Sequence, residues 1–200
     1  EGYLDLSVLD STHPEVVMDY AKKFNPATTL YIVSTKSGGT VETFSFMKFF
    51  YNYVSHILGK EKAGRHFVAI TDPGSGLQKV AEELKFRKIF LNDPNIGGRF
   101  SALSLFGIVP AALVGVDVGK ILSLTKEEAL NCKKSGKEIS QNTAAVAGAI
   151  IGTLGKKGID KLTYIISPKF SFIGAWIEQL IAESTGKIGK GILPVDLELI

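Results

Sequence analysis

Three stretches of this sequence bring together residue types that do chemistry. The first is Ser34-Thr35-Lys36-Ser37-Gly38-Gly39-Thr40, which follows the apolar run Leu30-Tyr31-Ile32-Val33 and precedes a long apolar-periodic segment. A strand that delivers such residues to a helix start surrounds one point with backbone N–H groups, hydroxyls and the positive end of a helix dipole, which suits a phosphate. The glycines allow close approach of backbone to an anion, Lys36 supplies a compact charge, and Thr35, Ser37 and Thr40 supply neutral donors. The plainer reading is a polar strand-to-helix turn with Thr40 as N-cap and no ligand. Neither GxxxxGK[ST] nor GxGxxG is present, so the stretch is no nucleotide loop of either familiar kind. The second stretch, Asn95 to Gly107 (NIGGRFSALSLFG), sets Gly98 and Arg99 at a helix start, where the guanidinium fork can grip phosphate or sugar oxygens or pair with a structural carboxylate. The third, residues 167 to 195, sets Trp176, Leu180 and Glu183 or Ser184 at helical spacings, with Glu178, Gln179 and Glu183 as its polar members. A carboxylate there is either a proton-transfer base or a solvated helix residue. The lysines of Gly186-Lys187-Ile188-Gly189-Lys190-Gly191 follow in a turn and meet either an anion or water.

The elements that would position these residues follow from periodicity. Strand-like runs lie at Leu4 to Leu9, Thr29 to Val33, His66 to Ile70, Lys88 to Leu91 and Leu162 to Ile166, separated early on by helical patterns at Pro14 to Phe24, Thr40 to Leu58 and Gly76 to Leu84. Strand and helix alternating through short connections predict an α/β fold with a parallel sheet, whose ligands sit at the carboxyl ends of the strands. After Asn92 the pattern becomes helical, over Arg99 to Leu113, Val118 to Lys133 and Glu138 to Lys156, before the strand pattern resumes. The expected division is one α/β unit over 1–95, a helical linker over 96–158, and the opening of a second, incomplete α/β unit over 159–200.

Composition narrows the classes. The chain has 200 residues, 45% of them hydrophobic and 22% charged, enough for a buried core. Its formal charge of +3 comes from 23 basic and 20 acidic residues without a basic block, which argues against a nucleic-acid partner. No apolar stretch reaches the roughly 18–20 residues of a membrane span. A lone Cys132, expected to be buried or idle, gives no intrachain disulfide and suits a cytoplasmic setting. The start, EGYLDLSVLD, has no signal-peptide pattern, and the missing initiator methionine suggests a processed or truncated chain.

KSGGTVET, IGGRFSALSLFG and EQLIAESTGKIGKGILPV, in that order, resemble the glucose-6-phosphate isomerase family, most closely bacterial members and the isomerase half of transaldolase fusions. DSTHPE and FNPATTL extend the likeness over nearly the whole chain. The resemblance implies SIS-type, flavodoxin-like three-layer α/β sandwiches, here one unit, a helical region and the start of a second. It also implies interconversion of glucose 6-phosphate and fructose 6-phosphate through an enediol, in glycolysis and gluconeogenesis, with neither metal nor organic cofactor, in proteins that are commonly homodimers. By the same likeness Thr35, Lys36, Ser37 and Thr40 fall on the phosphate loop, with threonine at 35 where serine is usual. Gly98 and Arg99 fall on the sugar-facing GGR turn, whose arginine stabilises the enediol oxygen. The family base, taken as a glutamate before a proline, aligns with Ser167-Pro168, and serine cannot do a carboxylate's work. Glu178 and Glu183 on the following helix are then the carboxylates available. His13, His56 and His66 match no family role. A site element that the family carries before residue 1, and a histidine and a lysine after residue 200, are not part of this chain. The alternative function is a non-catalytic sugar-phosphate sensor.

Overall fold

The computed structural model describes residues 2–134 and 136–197. The chain divides into two compact units, Glu1–Gly119 and Lys120–Ile200.

The first unit is built around a parallel sheet of β1 (Tyr31–Ser34), β2 (Phe67–Thr71) and β3 (Lys88–Leu91), in the order β1-β2-β3. Tyr31 lies opposite Phe67, and Val68 opposite Lys88. All five residues of the central strand β2 are buried, the apolar run Phe-Val-Ala-Ile followed by Thr71, as a parallel strand covered on both faces requires. Around the sheet run α1 (Pro14–Lys23), α2 (Val41–Leu58), the one-turn α3 (Lys60–Ala63), α4 (Gly76–Glu83) and α5 (Leu105–Leu113). Helix α2 buries Met47, Phe50 and Val54, and α4 buries Leu77 and Ala81, spacings that keep each set on one helical face. The core closes on an aromatic cluster in which the Phe67 ring stacks on Tyr31 at 4.9 Å and meets Phe86 at 5.2 Å. A buried Phe of this kind contributes about 1.5–3 kcal/mol over an exposed one.

The second unit contains α6 (Val118–Asn131), which opens at the boundary, then α7 (Thr143–Lys156), α8 (Phe172–Thr185) and a two-stranded parallel sheet of β4 (Lys161–Thr163) and β5 (Leu193–Val195). Asn142 ties two helix ends together: its Oδ1 accepts from the Ala145 N–H at 3.0 Å, and its Nδ2 donates to the Cys132 carbonyl at 2.8 Å.

Four expectations about elements need correction. The run Leu4 to Leu9 is not a strand. The Leu4 N–H donates to the Leu113 carbonyl, the Tyr20 hydroxyl donates to the Val8 carbonyl, and Leu4, Leu6 and Val8 are exposed, so no strand partner takes up its backbone. Arg99 to Leu113 is not one helix but a 3-10 turn, Gly98–Leu103, followed by α5. Ser104 makes the break by accepting from the Phe106 N–H and donating to the Ser101 carbonyl. Glu138 to Lys156 is likewise divided, with a 3-10 turn ending at Gln141 and Asn142 capping α7. The run Leu162 to Ile166 keeps strand register only to Thr163, its last bond to β5 being that of the Tyr164 N–H to the Val195 carbonyl, and Ile165 is exposed. Cys132 is an exposed free thiol. Among the described residues no helix is long and apolar enough to cross a membrane.

Candidate active site

Parallel strands release their loops at a common edge, and in the first unit that edge collects three strand-to-helix junctions: residues 35–40 after β1, 72–75 after β2 and 92–104 after β3. In the first junction Thr35 is buried and its N–H donates to the Ile70 carbonyl at 3.1 Å, which fixes the loop to β2. Its hydroxyl shares a 3.2 Å hydrogen bond with that of Thr40. Thr40 occupies the N-cap position of α2 yet makes no side-chain cap, because its hydroxyl is turned to Thr35. The first backbone N–H groups of α2 are thereby left without the usual side-chain acceptor, an arrangement that favours an anion. Ser37 accepts from the Gly39 N–H at 3.3 Å, a turn that Gly38 makes possible at φ +67°. A Cβ at Gly38 would stand 2.7 Å from the Leu77 nitrogen, so only glycine lets this loop lie against the start of α4.

Lys36 links all three junctions. Its Nζ is ion-paired with Asp72 Oδ2 and donates to the Pro94 carbonyl at 2.9 Å. Its own carbonyl accepts from the Asp72 N–H at 3.1 Å and from the Thr71 hydroxyl at 3.2 Å. Asp72 is thus hydrogen-bonded to both ends of Lys36. Its second carboxylate oxygen, Oδ1, is buried without a hydrogen-bond partner among the described residues.

In the third junction Asn92 is buried, and its Oδ1 accepts from the Leu105 N–H at 3.0 Å. Its backbone N–H donates to the Thr71 carbonyl at 2.9 Å. One side chain therefore holds the start of α5 against the end of the sheet. Gly98 and half-buried Arg99 lie in the turn between these anchors, and the Ser101 hydroxyl donates to the Gly98 carbonyl at 2.6 Å.

The two carboxylates belong to the second unit. Glu178 and Glu183 are exposed residues of α8, and five residues at 3.6 per turn set them about 140° apart around it, too far to serve one point together. Glu178 shares its surroundings with Tyr164 and Asp196: burial pushes the Tyr164 phenol up, and the Glu178 and Asp196 carboxylates push it the same way. Glu183 lies in the last turn of α8, before a tight turn in which Lys187 and Lys190 exchange both backbone hydrogen bonds. Ser167 precedes the 3-10 turn Pro168–Phe170 and is exposed.

The first unit therefore gathers Thr35, Lys36, Ser37 and Thr40 with the turn that carries Gly98 and Arg99. Sequence reasoning did not single out Asp72, Asn92 or the Pro94 carbonyl. The signal available was a third polar junction, Asp72-Pro73-Gly74-Ser75, directly after the run Phe67-Val68-Ala69-Ile70-Thr71.

Taken alone, this is an α/β protein with an anion-suited edge on a parallel sheet. The description "Phosphoglucose isomerase" fits residues 3–191, and the chain belongs to that family. It is 34% identical over 186 residues to a glucose-6-phosphate isomerase of Carboxydothermus hydrogenoformans, covering 90% of this chain and 38% of that protein. With its Mycoplasmopsis pulmonis counterpart it shares 36% over 163 residues, covering 81% and 38%. Among solved structures it resembles a hypothetical protein of Thermus thermophilus, with TM-score 0.85 and 26% identity over 94% of this chain and 46% of the other. A glucose-6-phosphate isomerase of Chlamydia trachomatis shares the fold at TM-score 0.73 and 20% identity, covering 92% and 37%. The chain spans under two-fifths of the length of the curated relatives it matches.

Proposed function

We propose that this chain carries the sugar-phosphate grip and part of the catalytic apparatus of a glucose-6-phosphate isomerase. The carrying observation is that the Thr35–Thr40 loop and the Gly98-Arg99 turn leave the same edge of one parallel sheet, within the segment that the family covers. In this reading Thr35, Ser37, Thr40 and the α2 amides take the phosphate, and Gly98 and Arg99 take the sugar end. A base removes the proton from C2 of the open-chain aldose, the C–H electron pair becomes the C1–C2 double bond and the carbonyl pair passes to O1. A proton moves from O2 to O1 through the enediol, and return of the base's proton to C1 leaves the C2 carbonyl of the ketose. Arg99 stabilises the oxyanion that develops.

Of the two carboxylates we assign the base to Glu183. Glu178 faces a phenol and a second carboxylate of its own unit, whereas Glu183 lies on another side of α8, next to the lysine turn. The reading needs no cofactor. It extends to a three-layer SIS-type sandwich, a second such unit beginning within the last forty or so residues, a homodimeric parent protein and a cytoplasmic setting.

The test is conversion of fructose 6-phosphate to glucose 6-phosphate in a coupled assay, with Arg99→Ala as the control for contaminating isomerase. Glu183→Gln is expected to lower turnover about a thousandfold while leaving sugar-phosphate binding within about threefold. Glu178→Gln is expected to change it less than about threefold. Full activity in Glu183→Gln removes it as the base. Binding without turnover in the unaltered chain leaves two readings, a sugar-phosphate grip whose catalysis depends on the family elements outside residues 1–200, or the non-catalytic sensor.

A further inference from the structure

We infer that Asp72 is a positioning residue for ligand binding, acting through Lys36, an inference that rests on the phosphate-site reading of the loop after β1. An ammonium group has three N–H donors on a flexible stem, so by itself it defines no direction. In this chain two of the three are taken, one by Asp72 Oδ2 and one by the Pro94 carbonyl, and both acceptors lie on neighbouring junctions of the same sheet edge. The third N–H is left for a ligand, on a side chain that is 30% exposed.

The hold on the lysine is double. The Asp72 N–H grips the Lys36 carbonyl while the Asp72 carboxylate grips the ammonium, so backbone and side-chain tip are fixed by one residue. The Pro94 carbonyl then joins this pair to the junction that leads into Gly98 and Arg99. Lys36 thereby spans the loop that meets the phosphate and the turn that meets the sugar. The burial of an unpartnered Asp72 Oδ1 shows that the fold tolerates a polar cost at this point. A carboxylate next to an anion site opposes the anion by simple charge, so its presence there is accounted for by what it does to Lys36.

The sign of one substitution separates these effects. Asp72→Asn keeps the shape and removes the charge. A purely electrostatic role predicts tighter binding of an anion, whereas positioning predicts weaker binding. The experiment is titration calorimetry with glucose 6-phosphate, with glucose as the neutral control, on the unaltered protein, Asp72→Asn, Lys36→Gln and the double variant, each checked by thermal melting.

The expected result is about tenfold weaker binding for Asp72→Asn, the scale of one lost charge-assisted hydrogen bond. In the Lys36→Gln background the same change is expected to cost less than about twofold, because its effect passes through the lysine. A general loosening of the fold would not depend on residue 36 in this way. Unchanged or tighter binding by Asp72→Asn overturns the inference, as does an undiminished loss in the double variant. If Asp72→Asn does not fold, Asp72→Glu takes its place: it keeps the charge but moves the carboxylate, and wild-type affinity in that variant overturns the inference. Failure of the unaltered protein to bind glucose 6-phosphate brings down the phosphate reading and this inference together. Binding that survives Asp72→Asn brings down this inference alone.

Discussion

The two units of the chain solve the problem of a stable interior very differently. Every buried hydrophobic residue among those described lies between Ala21 and Phe86, all in the first unit. Among the described residues of the second, only Asn142, Gly174 and Pro194 are buried, while Phe172 is 94% exposed and Trp176 half exposed. A three-stranded sheet with a fully buried central strand can hold loops rigidly at its edge, and the first unit uses that edge for its polar junctions. The second unit has two strands of three residues each, and its polar order rests on a few nodes such as Asn142. A grip on a ligand is best built on the first kind of scaffold.

Phe67 is the sharpest way to probe this contrast. Its side chain is fully buried among Tyr31, Tyr51 and Phe86, so Phe67→Ala is expected to destabilise the first unit by about 3–5 kcal/mol in chemical denaturation. Phe172→Ala, on an exposed ring of the second unit, is expected to change stability by no more than about 0.5 kcal/mol. Equal losses at the two positions would mean that the second unit has a cooperative interior of its own.

The next effect concerns the loop after β1, proposed to take the phosphate. Gly38→Ala meets backbone at the start of α4 and also demands a left-handed conformation from alanine, so a loss of about 2 kcal/mol in stability is expected, with weaker binding of inorganic phosphate. A stable variant with unaltered phosphate affinity would detach this loop from the ligand.

How much of this was legible in the sequence depends on the range of the interactions involved. The strands at Lys88 to Leu91 and around Tyr31 and Phe67 were readable because a buried parallel strand is a short apolar run between turn residues. The run Leu4 to Leu9 has the same local pattern and forms no strand, because pairing needs a neighbour and its N–H and C=O groups found a helix end and a tyrosine. The breaks at Ser104 and Asn142 were missed since a side chain that bonds its own backbone competes with helix only when the fold brings the right groups close. At the candidate site, Lys36, Ser37 and Thr40 stood out as a cluster in sequence, but the partner that orients the lysine lies 36 residues away. Asp72 has no local signature beyond following a strand.

Asn142 is the smaller test of the second unit. It caps α7 and closes the end of α6, so Asn142→Ala is expected to cost about 1–2 kcal/mol, read by denaturant melts. A loss below about 0.5 kcal/mol would show that the junction is held by other contacts.

The smallest expected effect has the opposite sign, and it compares the two units at one kind of backbone position. Both contain a tight turn with left-handed backbone: Gly38 at φ +67° in the first and Ile188 at φ +50° in the second. The first unit places glycine there, which adopts that region at no steric cost. The second places a β-branched residue, whose Cβ crowds the following carbonyl and whose side chain is fully exposed and packs on nothing that would offset the strain. Ile188→Gly relieves the strain but frees the unfolded chain, and the two terms differ by a modest margin. The expected net result is a gain of about 1 kcal/mol, measured as a higher denaturation midpoint at unchanged slope. A loss on this substitution would mean that the freedom glycine gives the unfolded chain outweighs the strain that Ile188 carries.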